Sequence, residues 1–159
     1  MANSFTVTAP TLLKALVTPV QVGPALNAPA WPPPTAVNQY EAIWDTGATA
    51  SVITEKIISE CGLKPISVAK VHGANGEYLT EVYLISLLLP NRVGFNVLRV
   101  TKGRLPGDCD MLVGMDVISQ GDFAVTNYGQ KTCFSFRCPS LERIDFTGTV
   151  LEPPAPPGP

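Results

Sequence analysis

The sequence predicts an all-β domain with one or two short helices, and three observations lead to that prediction. From Tyr40 onward, short apolar or alternating runs of strand length recur, and such runs are typical of buried or half-buried strands. Asn75-Gly76 is a strong hairpin signal, because both positions of a tight two-residue turn need positive φ. Only two segments are typical of helices, and both are short. The 159 residues suffice for one domain with a hydrophobic core.

The strand candidates follow one another along the chain. Residues 12–22 are predicted to form one or two strands with a break at Pro19, because proline cannot donate to a ladder. Residues 24–34 are rich in proline and are predicted to be a long connection. Further strands are predicted over residues 42–44, 83–89 and 95–100.

Two helices are predicted from their end signals. Over residues 54–61, Thr54 can cap the N-terminus, and Gly62 can take the left-handed conformation that ends a helix. A second, shorter helix is predicted after Gly114, running through Val117 to Gln120.

Composition and charge exclude several classes of protein. The net charge is −2 and the pI is about 5.3, which is unlike the basic footprint of a nucleic-acid-binding protein. No run of 18 or more apolar residues is present, so we expect no transmembrane helix. Residues 1–9 lack the basic start of a secretory signal. We therefore expect a cytoplasmic protein that binds neither nucleic acid nor membrane.

The cysteines indicate neither a disulfide framework nor a metal site. The chain has four, at positions 61, 109, 133 and 138, and their low density without a compartment signal favours reduced, structural thiols. Only Cys133 and Cys138 lie close in sequence, and the single histidine, His72, is far from them. We therefore predict no metal site.

Proline-rich segments mark the ends of the predicted domain. Five of the seven residues over 153–159 are proline, so this segment cannot supply ladder hydrogen bonds and is expected to be an extended, solvated tail. The predicted organisation is an N-terminal extension over residues 1–10, one folded domain over 11–138, and a C-terminal extension over 139–159.

The segment that carries chemistry follows the apolar run ending at Trp44. Asp45-Thr46-Gly47-Ala48 places a carboxylate on a tight loop at the end of a strand. Gly47 permits a backbone that a side chain would obstruct, and its N–H can approach the carboxylate. An isolated Asp-Thr-Gly also suits an ordinary Asx-type turn, so these three residues alone decide little. The chain contains one copy of the triplet.

Two further segments turn this motif into a family resemblance. Residues 45–51 fit the pattern Asp-Thr-Gly-Ala-x-x-Ser/Thr at every fixed position. The chain resembles the retropepsin-like aspartic proteases over roughly residues 12–137, and residues 114–123 look more like the bacterial members of that family than the retroviral ones. Leu112-Val113-Gly114 is similar to the second signature of the family, in which two large apolar residues precede a glycine. His72-Gly73-Ala74-Asn75-Gly76 is similar to the hairpin that covers the substrate in this family, which is called the flap.

The resemblance implies a fold, an activity and an assembly. The fold would be a single-lobed acid-protease barrel, in which Leu112 and Val113 pass beneath the catalytic loop. The activity would be that of an aspartic endopeptidase without a cofactor, acting on a peptide or protein substrate. Asp45 would be the catalytic acid, and a homodimer would supply the second one, since each chain contributes one. Residues implied to support the loop are Thr46, Gly47, Ala48, Leu112, Val113 and Gly114.

Two alternatives to a homodimeric aspartic endopeptidase remain. The same fold could serve as a non-catalytic dimerisation or peptide-binding module, although such a module has no physical need for the acid. Phosphoryl-transfer proteins also carry aspartate near Thr-Gly, but they need a P-loop or a second aspartate and a lysine at set spacing, and the sequence has neither.

The chain departs from the retroviral pattern at one pair of positions. Retroviral members commonly carry an acid where this chain has Thr49 and an arginine where it has Met115, and the two form an ion pair near the dimer interface. Both charges are replaced together here. Losing one partner of a buried pair costs roughly 3–5 kcal/mol, whereas losing both can be nearly neutral. We therefore expect the fold and the site to persist with a differently built dimer contact.

Overall fold

The computed structural model describes residues 2–26, 38–73 and 76–147, and within these ranges it is mostly β, which confirms the predicted fold class. The proline-rich tail over residues 153–159, most of the connection over 24–34, and Ala74 and Asn75 of the flap segment lie outside the described residues. The strands are β1 (Asn3–Thr8), β2 (Leu16–Pro24), β3 (Asn38–Trp44), β4 (Val52–Ile53), β5 (Ser67–Gly73), β6 (Gly76–Leu88), β7 (Gly94–Lys102), β8 (Met111–Val113), β9 (Asp122–Thr126) and β10 (Cys133–Cys138).

The strands form two sheets. One has seven strands in the order β2-β3-β8-β4-β7-β6-β5, and the other has three in the order β1-β10-β9. Two α-helices, α1 (Glu55–Glu60) and α2 (Met115–Ile118), and two 3-10 turns, Pro90–Arg92 and Tyr128–Gln130, complete the described part.

Strand β8 lies in the seven-stranded sheet between the two strands that flank the Asp45 loop. It pairs in parallel with β3, where Trp44 lies opposite Val113, and antiparallel with β4, where Val52 lies opposite Leu112. Because β3 ends at Trp44 and β4 begins at Val52, both ends of the loop that starts at Asp45 are hydrogen-bonded to β8. This is the placement that the resemblance implies for Leu112 and Val113.

The three-stranded sheet packs against β3 through an aromatic cluster. β1 pairs antiparallel with β10, so most of the predicted N-terminal extension is part of this sheet. Phe5 and Phe134 lie against Trp44, with ring centroids 5.8 and 6.2 Å from it. Phe123 stacks on Trp44 at 5.7 Å and an interplanar angle of 9°. Each such pair contributes about 0.5–1.5 kcal/mol beyond the area it buries, and together they fix the end of β3 that leads into Asp45.

The predicted strand break at Pro19 is wrong. β2 runs through this residue, which pairs with Glu41 of β3. The pairing of β2 with β6 starts only at Gln21, so beside Pro19 one edge of β2 has no strand partner in the described part of the chain. Proline is tolerated at such an edge, because no ladder bond requires its missing N–H.

The predicted hairpin is confirmed, with its pairing displaced by one residue. β5 and β6 are antiparallel, and Gly73 lies opposite Gly76, which has φ of 105°. Gly76 therefore begins β6 instead of occupying the turn. The strands predicted over residues 83–89 and 95–100 correspond to the second half of β6 and to β7, although β6 ends at Leu88.

Both predicted helices are present. Thr54 precedes α1 in an extended conformation, as an N-cap residue does, but its hydroxyl makes no capping hydrogen bond and is buried without a partner in the described residues. Gly62 has φ of 60° immediately after the helix, as predicted. α2 begins directly after Gly114 and is only four residues long.

The four cysteines are separate, partly buried thiols. Burial raises the pKa of the thiols of Cys61, Cys109 and Cys138 above the ordinary value. A raised pKa keeps the reactive thiolate scarce at neutral pH. The environment of these three thiols therefore fits a structural role.

Candidate active site

The Asp45 loop presents a carboxylate at the surface of the chain. Asp45 directly follows β3, and its backbone N–H donates to the carbonyl of Val113 at 3.0 Å. The N–H of Gly47 donates to Oδ1 of Asp45 at 2.8 Å. The N–H of Ala48 donates to the backbone carbonyl of Asp45 at 3.3 Å. Asp45, Thr46 and Gly47 are all exposed in the single chain. One carboxylate oxygen is thus held by a backbone donor, while the group as a whole faces outward.

Gly47 is tightly placed beside that carboxylate. A Cβ atom at this position would lie 3.1 Å from Oδ1 of Asp45, closer than ordinary van der Waals contact. A side chain here would push against the oxygen that the Gly47 N–H holds. Position 47 therefore favours glycine because a side chain would obstruct the contact between its N–H and the carboxylate, as expected from the sequence.

The support beneath the loop is built on backbone contacts to the start of α2. The N–H of Met115 donates to the carbonyl of Ala48 at 2.8 Å, and that of Asp116 to the carbonyl of Thr49 at 3.2 Å. Gly114 is buried between these segments, and a Cβ there would lie 2.8–3.0 Å from backbone atoms of Ala48 and Ala50. The close approach of the two segments thus depends on glycine at position 114.

A second layer of support joins Ser51 to Asp116. The hydroxyl of Ser51 donates to Oδ1 of Asp116 at 2.8 Å, its N–H donates to Oδ2 at 2.9 Å, and its Oγ accepts from the N–H of Gly114 at 3.1 Å. Ser51 is buried and Asp116 is half-buried. From the sequence we assigned Asp116 no role at the site. The serine of the Asp-Thr-Gly-Ala-x-x-Ser pattern was the available signal, because a buried hydroxyl needs a partner.

The two positions that carry an ion pair in retroviral members are neighbours here too. Thr49 is exposed, and Met115 is half-buried among residues that pack on the core. Backbone hydrogen bonds from α2 reach the adjacent Ala48 and Thr49 itself. The junction between loop and helix is therefore held by backbone hydrogen bonds, without a charge at either position.

The hairpin of β5 and β6, which contains the segment similar to the flap and is called the flap hairpin below, has two distinct faces. Directly opposite residues of an antiparallel pair share a face, and neighbours along a strand alternate. Gly73, Tyr78 and Thr80 line a cleft, so His72 and its opposite partner Glu77 belong to the outer face. The side chain of His72 is 76% exposed, and its Nδ1 lies 3.2 Å from Oε1 of Glu77.

The cleft opens between the flap hairpin and the start of α1, with a volume of about 1000 Å³. Beyond the flap residues, its lining includes Glu55, Lys56, Lys102, Arg104 and Leu105. Sequence reasoning singled out none of these five residues. Their convergence depends on β4, β6 and β7 being neighbours in the sheet, which no local pattern in the sequence reveals.

Residues 2–26, 38–73 and 76–147 contain neither a cluster suited to a metal ion nor a helix suited to a membrane. No cluster of three or more histidine, cysteine, aspartate or glutamate side chains lies in a position to hold a metal ion there. In the same ranges, no helix has the length and apolar character needed to cross a membrane.

Comparisons with known proteins identify the family and the fold. Residues 36–120, more than half of the chain, match the family described as "gag-polyprotein putative aspartyl protease". Among solved structures, the chain is similar to a retropepsin-like aspartic protease from Rickettsia conorii, with a TM-score of 0.54 and 14% identity over 87% of this chain and 96% of that one. It is also similar to EIAV protease bound to an inhibitor, with a TM-score of 0.49 and 17% identity over 68% and 88% of the two chains.

A third similarity is to the retroviral protease-like domain of Ddi1 from Leishmania major, with a TM-score of 0.44 and 15% identity over 71% and 82% of the chains. No curated protein sequence matches the chain. The Rickettsia structure, together with the passage of β8 beneath the Asp45 loop, identifies the fold as retropepsin-like. By the match over residues 36–120, the chain belongs to the gag-polyprotein aspartyl protease family.

Proposed function

We propose that the chain is an aspartic endopeptidase whose active site forms when two copies bring their Asp45 carboxylates together. The observation that carries the proposal is the presentation of Asp45. Its carboxylate is fixed by the N–H of Gly47 at 2.8 Å and supported through Val113, yet it is exposed in the single chain. A lone surface carboxylate has no partner with which to divide the roles of acid and base, and a second copy would supply one.

The proposed mechanism divides those roles between the two carboxylates. Like charges at hydrogen-bond distance do not both ionise easily, so the pair shares one proton. The ionised Asp45 takes a proton from a bound water, and the water oxygen attacks the peptide carbonyl carbon. The protonated Asp45 gives its proton to the carbonyl oxygen, which produces a tetrahedral diol.

Collapse of this diol completes the hydrolysis. A carboxylate takes a proton from one hydroxyl of the diol, the carbon–nitrogen bond breaks, and the amine nitrogen accepts a proton from the pair. The roles belong to the pair, and neither copy owns one of them. The reaction consumes one water and forms no covalent intermediate with the enzyme.

The rest of the site suits this mechanism. The loop that carries Asp45 is held by backbone contacts to β8 and α2, and a fixed position for the reacting group lowers the cost of reaching the transition state. The flap hairpin borders a cleft of about 1000 Å³. An extended peptide there could pair with a strand of the hairpin as an added strand, while the hairpin excludes water from the reacting bond.

The test is the cleavage of a random peptide library, read by mass spectrometry, with wild type, Asp45→Asn and the control Asp108→Asn. The amide is nearly isosteric with the carboxylate but cannot act as the base, so Asp45→Asn should lose at least about 1000-fold in turnover while keeping its melting temperature. Asp108 is an exposed loop residue, and its replacement should leave cleavage unchanged.

A dilution series with the same peptides tests the assembly. Activity per chain should fall once the protein concentration drops below the dimer dissociation constant, because one chain supplies one catalytic acid. Cleavage by a purified Asp45→Asn variant would remove Asp45 from the mechanism, and constant activity per chain from a strictly monomeric protein would exclude the shared site. Peptide binding by wild type without any cleavage would identify a binding module instead.

A further inference from the structure

The cleft beside the flap hairpin carries more positive than negative charge, although the whole chain is acidic. Its lining includes three cationic side chains and one carboxylate, whereas the net charge of the chain is −2. An excess of cations among the side chains that line the cleft is informative about the ligand, because charges lining a cleft select the ligands that enter it.

Two of the three cations are paired with carboxylates. The ammonium group of Lys102 lies 2.6 Å from Oε2 of Glu55 and 3.3 Å from Oε2 of Glu81. These two contacts raise the pKa of Lys102, and the hydrogen bond that its ammonium group donates to Glu55 is the larger cause. Lys56 lies 3.0 Å from Oδ2 of Asp110. Both lysines, and Glu55 with them, are thus engaged within the protein.

Arg104 is the cleft cation for which the described residues supply no carboxylate partner. It is exposed, and within residues 2–26, 38–73 and 76–147 it forms neither an ion pair nor a side-chain hydrogen bond. It lies just beyond β7, in the segment whose first residue, Gly103, donates its N–H to the carbonyl of Ile53 at 3.0 Å. The backbone that leads into Arg104 is therefore anchored to β4, which places an uncompensated guanidinium at the cleft.

The neighbours of Arg104 suit a side chain that has both an apolar stem and a charged end. Leu105 and the ring of Tyr78 offer apolar surface, and Thr80 lies on the same flap face. A guanidinium binds a carboxylate through two parallel hydrogen bonds and keeps its charge at any physiological pH. A glutamate or aspartate side chain combines these complementary features.

We propose that this cleft is a specificity subsite for an acidic side chain of the substrate peptide, with Arg104 as the residue that binds its carboxylate. The inference rests on the proposed endopeptidase function and deepens it by naming a substrate class. It assigns Arg104 to recognition, and Asp45 is not among the residues that line the cleft. Removing the charge of Arg104 should therefore change the preference between peptides while leaving the cleavage of neutral peptides intact.

The test uses matched peptides in which glutamate, glutamine or lysine is scanned through each position on both sides of a bond that the enzyme cleaves. At one position, wild type should prefer glutamate over glutamine by at least about fivefold in kcat/KM, the effect of one partly exposed charge pair. Arg104→Gln should remove this preference, and Arg104→Glu should reverse it in favour of lysine. The matched control is Arg99→Gln, an exposed arginine of β7 that does not line the cleft.

The outcomes separate this proposal from the endopeptidase itself. Efficient cleavage without a glutamate preference at any position would overturn the subsite and leave the protease standing. If Arg99→Gln and Arg104→Gln lost the preference for glutamate equally, that preference would arise from the overall charge of the protein, and the subsite would also be overturned. If wild type cleaves nothing, calorimetric binding of the same peptides to wild type and Arg104→Gln decides, and equal affinities for the glutamate and glutamine forms would reject the subsite.

Discussion

The Asp45 loop and the flap hairpin are held in different ways. The Asp45 loop is tied to β8 and α2 by backbone hydrogen bonds, with Gly114 and Ser51 buried between the segments. In the flap hairpin, by contrast, no residue of β5 is buried, and in β6 the first buried residue is Val82. On the outer face of the hairpin, the ion pairs of Glu77 with Lys70 and His72 are exposed.

This difference fits the separate roles that we propose for the two regions. Buried backbone contacts leave the carboxylate loop few alternative positions, which is what a group that must meet its partner at hydrogen-bond distance requires. A hairpin held mainly by its own ladder can move without breaking the core, as a substrate cover must. The contrast predicts that equivalent substitutions cost much more in the loop support than in the hairpin.

The largest difference in stability is expected between two variants that each add one methyl group, Gly114→Ala in the loop support and Gly73→Ala in the hairpin. In Gly114→Ala the new Cβ would lie 2.8 Å from the carbonyl carbon of Ala50 and 2.9 Å from its oxygen. Backbone atoms on both sides must then shift, so we expect the free energy of unfolding to fall by about 3 kcal/mol, the upper end of the usual cost of overpacking. In Gly73→Ala the nearest atom is Cε1 of Tyr78 at 3.0 Å.

Tyr78 is 48% exposed and can rotate away, so Gly73→Ala should cost less than about 1 kcal/mol. Denaturant unfolding of both variants and of wild type measures the two values. Equal losses in the two variants would refute the contrast between the regions. A fully stable Gly114→Ala would show that the loop and α2 can separate without penalty.

The elements that frame the loop could be predicted from the sequence because their signals are local. The apolar run ending at Trp44, the glycine after α1 and the short helix after Gly114 are each encoded within a few neighbouring residues. The break predicted at Pro19 was wrong because tolerance of proline depends on whether a second strand pairs there. That information lies in β6, far along the chain.

The support of the site was harder to predict for the same physical reason. Ser51 and Asp116 are 65 positions apart, and only the passage of β8 between β3 and β4 brings them together. Arg104 reaches the cleft because β7 pairs with both β4 and β6. Contacts of this kind arise from the order of strands in the sheet, which hydrophobic patterns do not encode.

A smaller, pH-dependent effect is expected at the start of β9, on the side of the molecule that supports the loop. The carboxylate of Asp122 accepts from the hydroxyl of Ser140, from the N–H of Leu141 at 2.9 Å and from Nε of Arg137 at 2.9 Å. These contacts, the Ser140 hydrogen bond first among them, hold the pKa of Asp122 well below its ordinary value. The folded state therefore favours the ionised form.

The sign of the pH effect follows from linkage. A carboxyl group whose pKa is depressed on folding contributes stability above its unfolded value of about 3.9, and that contribution disappears as the pH falls toward the folded-state pKa. The melting temperatures of wild type and Asp122→Asn should therefore differ most near neutral pH and converge at strongly acidic pH. Asp108→Asn, which removes an equal charge at an exposed site, serves as the control. A constant gap between wild type and Asp122→Asn down to about pH 2 would contradict this account.

The smallest effect should come from the outer face of the flap hairpin. Glu77 lies close to Lys70 and to His72 across the hairpin, and all three side chains are at least 45% exposed. Exposed ion pairs of this kind gain little, because water screens the charges and the side chains lose freedom when they pair. We expect Glu77→Gln to change the free energy of unfolding by less than about 0.5 kcal/mol, and we expect 1 M salt to abolish even this difference. A loss above about 1.5 kcal/mol, or one that persists at high salt, would mean that the hairpin depends on these charges and is not held mainly by its ladder.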